Sequence, residues 1–233
     1  MSGTDEAPVY GRRTFLAVVA GGVSALWWGP AAVRVGQDLL LPVAQVLPPG
    51  VRELLPVGGW RIYTISGSLP PVDRTTWRLR IDGLVEQPID LSYADLLRLP
   101  RAEQVSTFHC VTGWSVQHVH WAGVRFADPL ALARPLPTAH ALRFESAEQP
   151  YVDSLTLAQA ALPDAMLAYG MNGKPLTRPH GAPARVVIPD MYGYKNVKWV
   201  RRIELVSEPL DGYWEQRGYD RDAWVGRSNG YSS

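Results

Sequence analysis

One cysteine, Cys110, stands in 233 residues. That scarcity excludes an intrachain disulfide, a Cys-rich zinc site, an all-Cys iron–sulfur cluster and haem attached through C-x-x-C-H. Charge excess is missing too. Lys and Arg number 23 against 22 Asp and Glu, so nothing electrostatic points to a nucleic-acid partner. There is no internal repeat, no low-complexity run and no regular βαβ rhythm. What the chain does hold is 46% hydrophobic residues with 20 Pro, 21 Gly and 9 Trp. This suits one ordinary domain that buries a full core through many turns and short strands.

Thr14 to Val33 runs uncharged directly after Arg12 and Arg13. Arg-Arg-Thr-Phe-Leu follows the twin-arginine export pattern Arg-Arg-x-Phe-Leu, departing from its fuller form at Gly11 and Ala17. About 20 uncharged residues also suffice to span a bilayer, and Gly29-Pro30-Ala31 offers a small-x-small cleavage site. A buried core helix is the alternative and fits the arginine pair less well. Residues 1–33 are therefore read as a removed signal or an N-terminal anchor, with the rest of the chain periplasmic or on the outer face of the membrane. Residues 34–59 read as a linker or extended arm, and 60–233 as the domain. Twin-arginine export carries folded proteins, which suits one that takes up a cofactor before crossing.

Within the domain, WRIYTIS (60–66) and TWRLRIDG (76–83) alternate as half-buried strands do. HALRFES, PARVVIP and KWVRRIELVS read as further strands. In LSYADLLRLP, Ser92 is an N-cap candidate and Pro100 a stop; DPLALARPL and SLTLAQAAL suggest two more short helices. The order predicts an α+β fold of mixed sheets with short helices.

A lone thiol in an exported protein admits three readings. It is a buried structural side chain, a nucleophile served by His109, His118 or His120, or a metal ligand kept from oxidation by coordination. The basic run Arg185, Lys195, Lys198, Arg201 and Arg202 reads by default as a solvated strand face, with Arg201 and Arg202 as surface pairs. Trp114 and Trp121 read as core and pocket-wall residues, and Gly181 and Gly193 as turns or sites of close backbone approach.

Two longer motifs bring a family into view. FHCVTGWSV with HWAGV (108–124) and HGAPARVVIPDMYGYKNVKWVRRIEL (180–205) resemble the paired signatures of sulfite-oxidase-type molybdenum enzymes. The likeness covers most of 60–215 and is strongest to the single-domain bacterial branch that includes the periplasmic methionine-sulfoxide reductase catalytic subunit. It implies the sulfite oxidase molybdopterin-binding fold without the C-terminal dimerisation domain, and a monomer. It implies one Mo-molybdopterin per chain and no haem, with Cys110 as the protein's ligand to molybdenum.

By the same resemblance, Arg185 and Lys198 hold the cofactor anion, and Asn196 and Val197 contact it through backbone amides. His180 stands where the branch has Asn, Ser146 where it has Thr, and Tyr63 beside the pterin with Arg61 nearby. The implied reaction is two-electron oxygen-atom transfer on a small S- or N-oxide or a sulfite-like molecule. Electrons are then exchanged with a separate protein, in the nearest branch a haem-bearing membrane subunit. Two other classes stay open: a hydrolase or transferase using Cys110 with a histidine, and a relative that binds cofactor without turnover.

Overall fold

The computed structural model describes residues 9–10 and 59–227. The Thr14–Val33 segment and 34–58 of the arm lie outside the described residues, and so do the export and anchor readings attached to them. Among the described residues no helix is long and apolar enough to cross a membrane.

In chain order the strands are β1 (Val9–Tyr10), β2 (Ile62–Tyr63), β3 (Arg78–Gly83), β4 (Ile89–Ser92), β5 (Ala102–His109) and β6 (Ser115–Arg125). They continue as β7 (Ala141–Ser146), β8 (Val152–Thr156), β9 (Met166–Met171), β10 (Lys174–Pro175), β11 (Arg185–Val187) and β12 (Val200–Val206). The helices are α1 (Tyr93–Arg98), α2 (Ala127–Ala133) and α3 (Leu157–Ala160), with a 3₁₀ turn at Glu215–Arg217. One five-stranded sheet runs β10-β9-β6-β5, with β11 also paired to β9; the other runs β4-β3-β12-β7-β8. β3 and β12 are parallel, their neighbours antiparallel, and β1 lies parallel to β2. The α+β expectation holds.

The second sheet forms because its strands alternate cleanly. Leu79 and Ile81 of β3, Leu142 and Phe144 of β7, and Ile203 and Leu205 of β12 all point into one core. Their polar neighbours face outward as a charge lattice. Arg202 reaches Asp82 at 2.8 Å and Glu145 at 2.9 Å, and Arg143 reaches Glu204 at 2.9 Å. Arg201 and Arg202 are therefore the surface pairs the sequence suggested. The first sheet is covered on both faces. Leu167 and Tyr169 of β9 join the main core, whereas Met166 and Ala168 join a smaller cluster with Val119, Trp121 and Val187.

Ser92 caps α1 as expected: its hydroxyl accepts from Asp95 N–H at 3.1 Å while the Asp95 carboxylate accepts from Ser92 N–H at 2.9 Å. Two expectations shrink. In SLTLAQAAL the first residues belong to β8, paired with β7, and the helix begins only after the Thr156 cap. In WRIYTIS only Ile62 and Tyr63 are strand, because the next amides, of Ile65 and Ser66, are taken by the Glu148 carboxylate at 2.7 and 3.1 Å. The β5–β6 hairpin around Cys110 was not foreseen, since β5 is half-buried without alternation at its Cys110 end.

Candidate active site

The β5–β6 hairpin turns at Cys110–Trp114. Cys110 N–H donates to Trp114 O at 2.9 Å, and Gly113 N–H donates to Cys110 O at 3.0 Å. This sets the thiol in the wall of a largely apolar cavity that it shares with Trp60, Tyr63, Phe108, Arg185 and Lys198, the kind of concave, mostly apolar site that holds small molecules and cofactors. Cys110 is 8% exposed. Burial pushes its thiol pKa up; the Thr112 hydroxyl, with its oxygen 3.2 Å from Sγ, and the more distant Arg61 and Lys198 pull it back only in part. His118 and His120 are exposed on β6 and take no part in that balance. A buried thiol with a raised pKa is a poor nucleophile.

Two cations line the same cavity. Arg185, on β11, is 2% exposed, and its guanidinium donates only to the carbonyls of Val186, His180 and Asn196, at 3.2–3.4 Å. It lies over the rings of Phe108 and Trp121 at 5.4 and 5.3 Å. Lys198 donates to Tyr63 O at 2.6 Å and sits 4.2 Å above the Trp199 ring. Carbonyls and aromatic faces, not carboxylates, are the partners of both. Burial pulls Arg185 down to about 10, and burial with Arg185 nearby pulls Lys198 down to about 7. Glu148, in the same lining, raises the Lys198 pKa only in part against burial. It is itself engaged by the Ile65 and Ser66 amides, so the pair of cations can still receive an anion.

The other sequence-predicted residues divide. Arg61, Tyr63, Ser146 and Asn196 line the cavity with Cys110, Arg185 and Lys198. Tyr63 lies beside the thiol, and burial first, then Cys110, raises its phenol pKa. Ser146 is saturated: its hydroxyl donates to Lys198 O at 2.8 Å and accepts from Glu148 N–H at 3.0 Å. Asn196 acts as a loop staple, its Oδ1 accepting Ile188 N–H at 2.7 Å. The amides of Asn196 and Val197 donate to Gly193 O and Lys195 O, so within this structure both are engaged by the loop itself. His180 and Val197 stand outside the lining. His180 packs edge-on against Trp60 at 4.8 Å, with Nδ1 buried and unpartnered, and burial, Arg185 and Lys198 lower its pKa to about 4.

Sequence reasoning missed several residues here. Trp60 and Phe108 join Trp114, a pocket-wall residue the sequence did suggest, in an aromatic wall with ring centroids 4.9–6.3 Å apart. Glu148 ties the segment after β2 to the cavity, and Thr64 leaves Oγ1 buried without a partner. Gly193 is the close approach the sequence allowed for, though its partner was not foreseen: a Cβ there would stand 2.4 Å from Phe108 Cζ. Lys195, read as part of a solvated face, is 1% exposed and held by two carboxylates.

The donor set fits a metal carried by an anionic organic group. Among the described residues no three His, Cys, Asp or Glu side chains come together as a metal site, so a metal at Cys110 must bring its remaining ligands with it. Within the lining, Arg185, Lys198 and the unpartnered Thr64 Oγ1 offer partners to such a group; the unpartnered His180 Nδ1 lies outside it.

Comparison with known proteins agrees. Residues 66–214 match the family described as oxidoreductase molybdopterin binding domain. The "uncharacterized oxidoreductase YuiH" of Bacillus subtilis is 39% identical over 154 residues, 65% of this chain and 77% of that protein. The protein-methionine-sulfoxide reductase catalytic subunit MsrP of Campylobacter jejuni is 32% identical over 155 residues, 60% of this chain and 52% of its own. The sulfane dehydrogenase SoxCD structure from Paracoccus pantotrophus superposes with a TM-score of 0.58 at 28% identity, covering 62% of this chain and 41% of that one. This chain thus matches about half, or less, of the length of the last two.

Proposed function

The chain belongs to the oxidoreductase molybdopterin binding domain family, the sulfite-oxidase-type molybdenum enzymes, and from that premise we propose that it reduces a small, uncharged S- or N-oxide. The observation that carries the reading is the buried Cys110, which belongs to no cluster of three metal-ligating side chains among the described residues, in one cavity with Arg185 and Lys198, whose hydrogen bonds go to carbonyls rather than carboxylates. One Mo-molybdopterin would be held by Cys110 at the metal and by Arg185 and Lys198 at the anionic end. Thr64, whose buried Oγ1 has no partner, would offer the group a further polar contact. When bound, this group supplies two-electron oxygen-atom transfer.

The residues of the chain bind, orient and keep out water. Trp60, Phe108 and Trp114 make the wall beside Cys110 apolar, which suits a neutral substrate better than a dianion. With Arg185 and Lys198 committed to the cofactor, Arg61, its guanidinium carbon 6.0 Å from the Trp114 ring centroid, is the remaining cation at the wall. The Tyr63 phenol, kept protonated by its raised pKa, can donate a hydrogen bond to the substrate oxygen from Oη. Reduction consumes two electrons and two protons and releases water with the deoxygenated product. The electrons come from a separate redox protein, a haem-bearing membrane subunit being the expected kind, on the outer face of the membrane.

Holoenzyme supplied with a reduced dye should oxidise it on addition of sulfoxides or N-oxides. Sulfite-dependent reduction of an acceptor that outpaces this would reverse the assigned direction and substrate charge.

A further inference from the structure

Behind the loop that carries Asn196 and Lys198 lie three ionisable side chains with no part in the chemistry above. Lys195 Nζ donates to Asp153 Oδ1 and, at 2.8 Å, to Glu215 Oε1. The three side chains are 1–2% exposed. They come from β8, the loop and the 3₁₀ turn, so they join three separate segments.

Their charges do not balance, since one ammonium faces two carboxyl groups. The second oxygens, Asp153 Oδ2 and Glu215 Oε2, are buried and have no donor, yet the two carboxyl groups lie within hydrogen-bonding reach of each other. Backbone closes over them. At Gly212 a Cβ would stand 2.5 Å from Glu215 Oε2 and 2.8 Å from Val152 O, so backbone packs directly against that carboxyl oxygen. Two ionised carboxylates in contact would repel in a poorly solvated site, with two acceptors unsatisfied. A single proton between them removes both penalties.

We infer that Asp153 and Glu215 share one proton at neutral pH and form with Lys195 a net-neutral buried clamp that positions the cofactor loop. The positioning role rests on the reading that Asn196 and Lys198 face the cofactor. Beside Lys195, the ionisable groups that interact with both carboxyl groups are the phenols of Tyr151 and Tyr194, which the pair raises in pKa. Tyr151 and Tyr194 donate their hydroxyls to Tyr194 O and Asp220 O, both at 2.6 Å. Burial, opposed by Lys195 and reinforced by Glu215, pushes Asp153 well above the usual carboxylate range. Burial alone would pull Lys195 down, but the two carboxyl groups outweigh it and raise it.

The test compares the full chain with Asp153→Asn, Glu215→Gln and Lys195→Met. At neutral pH the wild type should show the infrared C=O stretch of an un-ionised carboxylic acid, shifted in heavy water and missing from either amide variant. Each amide variant, a mimic of the protonated pair, should melt near wild type and retain molybdenum and pterin. Lys195→Met, which strands the pair without a cation, should lose pterin several-fold faster on dialysis. No such band in the wild type, or amide variants as damaged as Lys195→Met, overturns the inference. A wild type that shows the band but never binds pterin contradicts the positioning role and the cofactor reading, and leaves the shared proton standing.

Discussion

Cys110 and Lys198 carry opposite ionisation problems. Burial holds the thiol above its ordinary pKa and the ammonium below its own, near 7. An occupant with a cationic metal at one end and a phosphate at the other relieves both. For Lys198 the sign follows from linkage. Its folded pKa lies below the unfolded 10.5, so the cofactor-free fold gains stability as pH rises from about 7 towards 10.5. A bound phosphate needs the charged form. Cofactor retention should therefore weaken as pH rises above about 7, by up to about tenfold per unit, and Lys198→Met should bind more weakly with that dependence gone. Equilibrium dialysis of pterin across pH checks this. At this scale much of the site was legible: Cys110, Arg185 and Lys198 sit in long motifs and do line one cavity. Lys195 sits in the same motif and was misread, because its partners Asp153 and Glu215 are distant in sequence and only the fold brings them to it.

Among the elements, the loop between β11 and β12 matters most, since its Gly193 N–H donates to His109 O at 2.7 Å and so ties it to the strand that carries the cysteine turn. Gly193→Ala must displace Phe108 or the loop, given the 2.4 Å approach. Overpacking of this kind costs about 1–3 kcal/mol, and we expect that loss in denaturant unfolding together with reduced molybdenum content. The elements legible in sequence were those with a clean period or a cap: β3, β7, β12 and α1. β5 and β9 were not. The Cys110 end of β5 is half-buried without alternation, and β9 is buried on both faces, which erases the alternation a strand otherwise shows.

Taken whole, the molecule places the Cys110 cavity in a domain preceded in sequence by an arginine pair and an uncharged stretch. If export follows the twin-arginine route, Arg12→Lys with Arg13→Lys should leave the protein inside the cell with its cofactor bound, as cell fractionation with metal analysis would show. Normal export of that variant would point to another route. The central claim is that molybdenum, carried by one molybdopterin, occupies the Cys110 thiolate. Its most direct test is elemental and pterin analysis of wild type and Cys110→Ser from a molybdenum-replete host proven to load a control enzyme. The account predicts near one Mo and one pterin per wild-type chain. In Cys110→Ser it predicts a folded protein, destabilised by about 1 kcal/mol, with oxygen-atom transfer abolished. Folded wild-type protein with neither Mo nor pterin would contradict it.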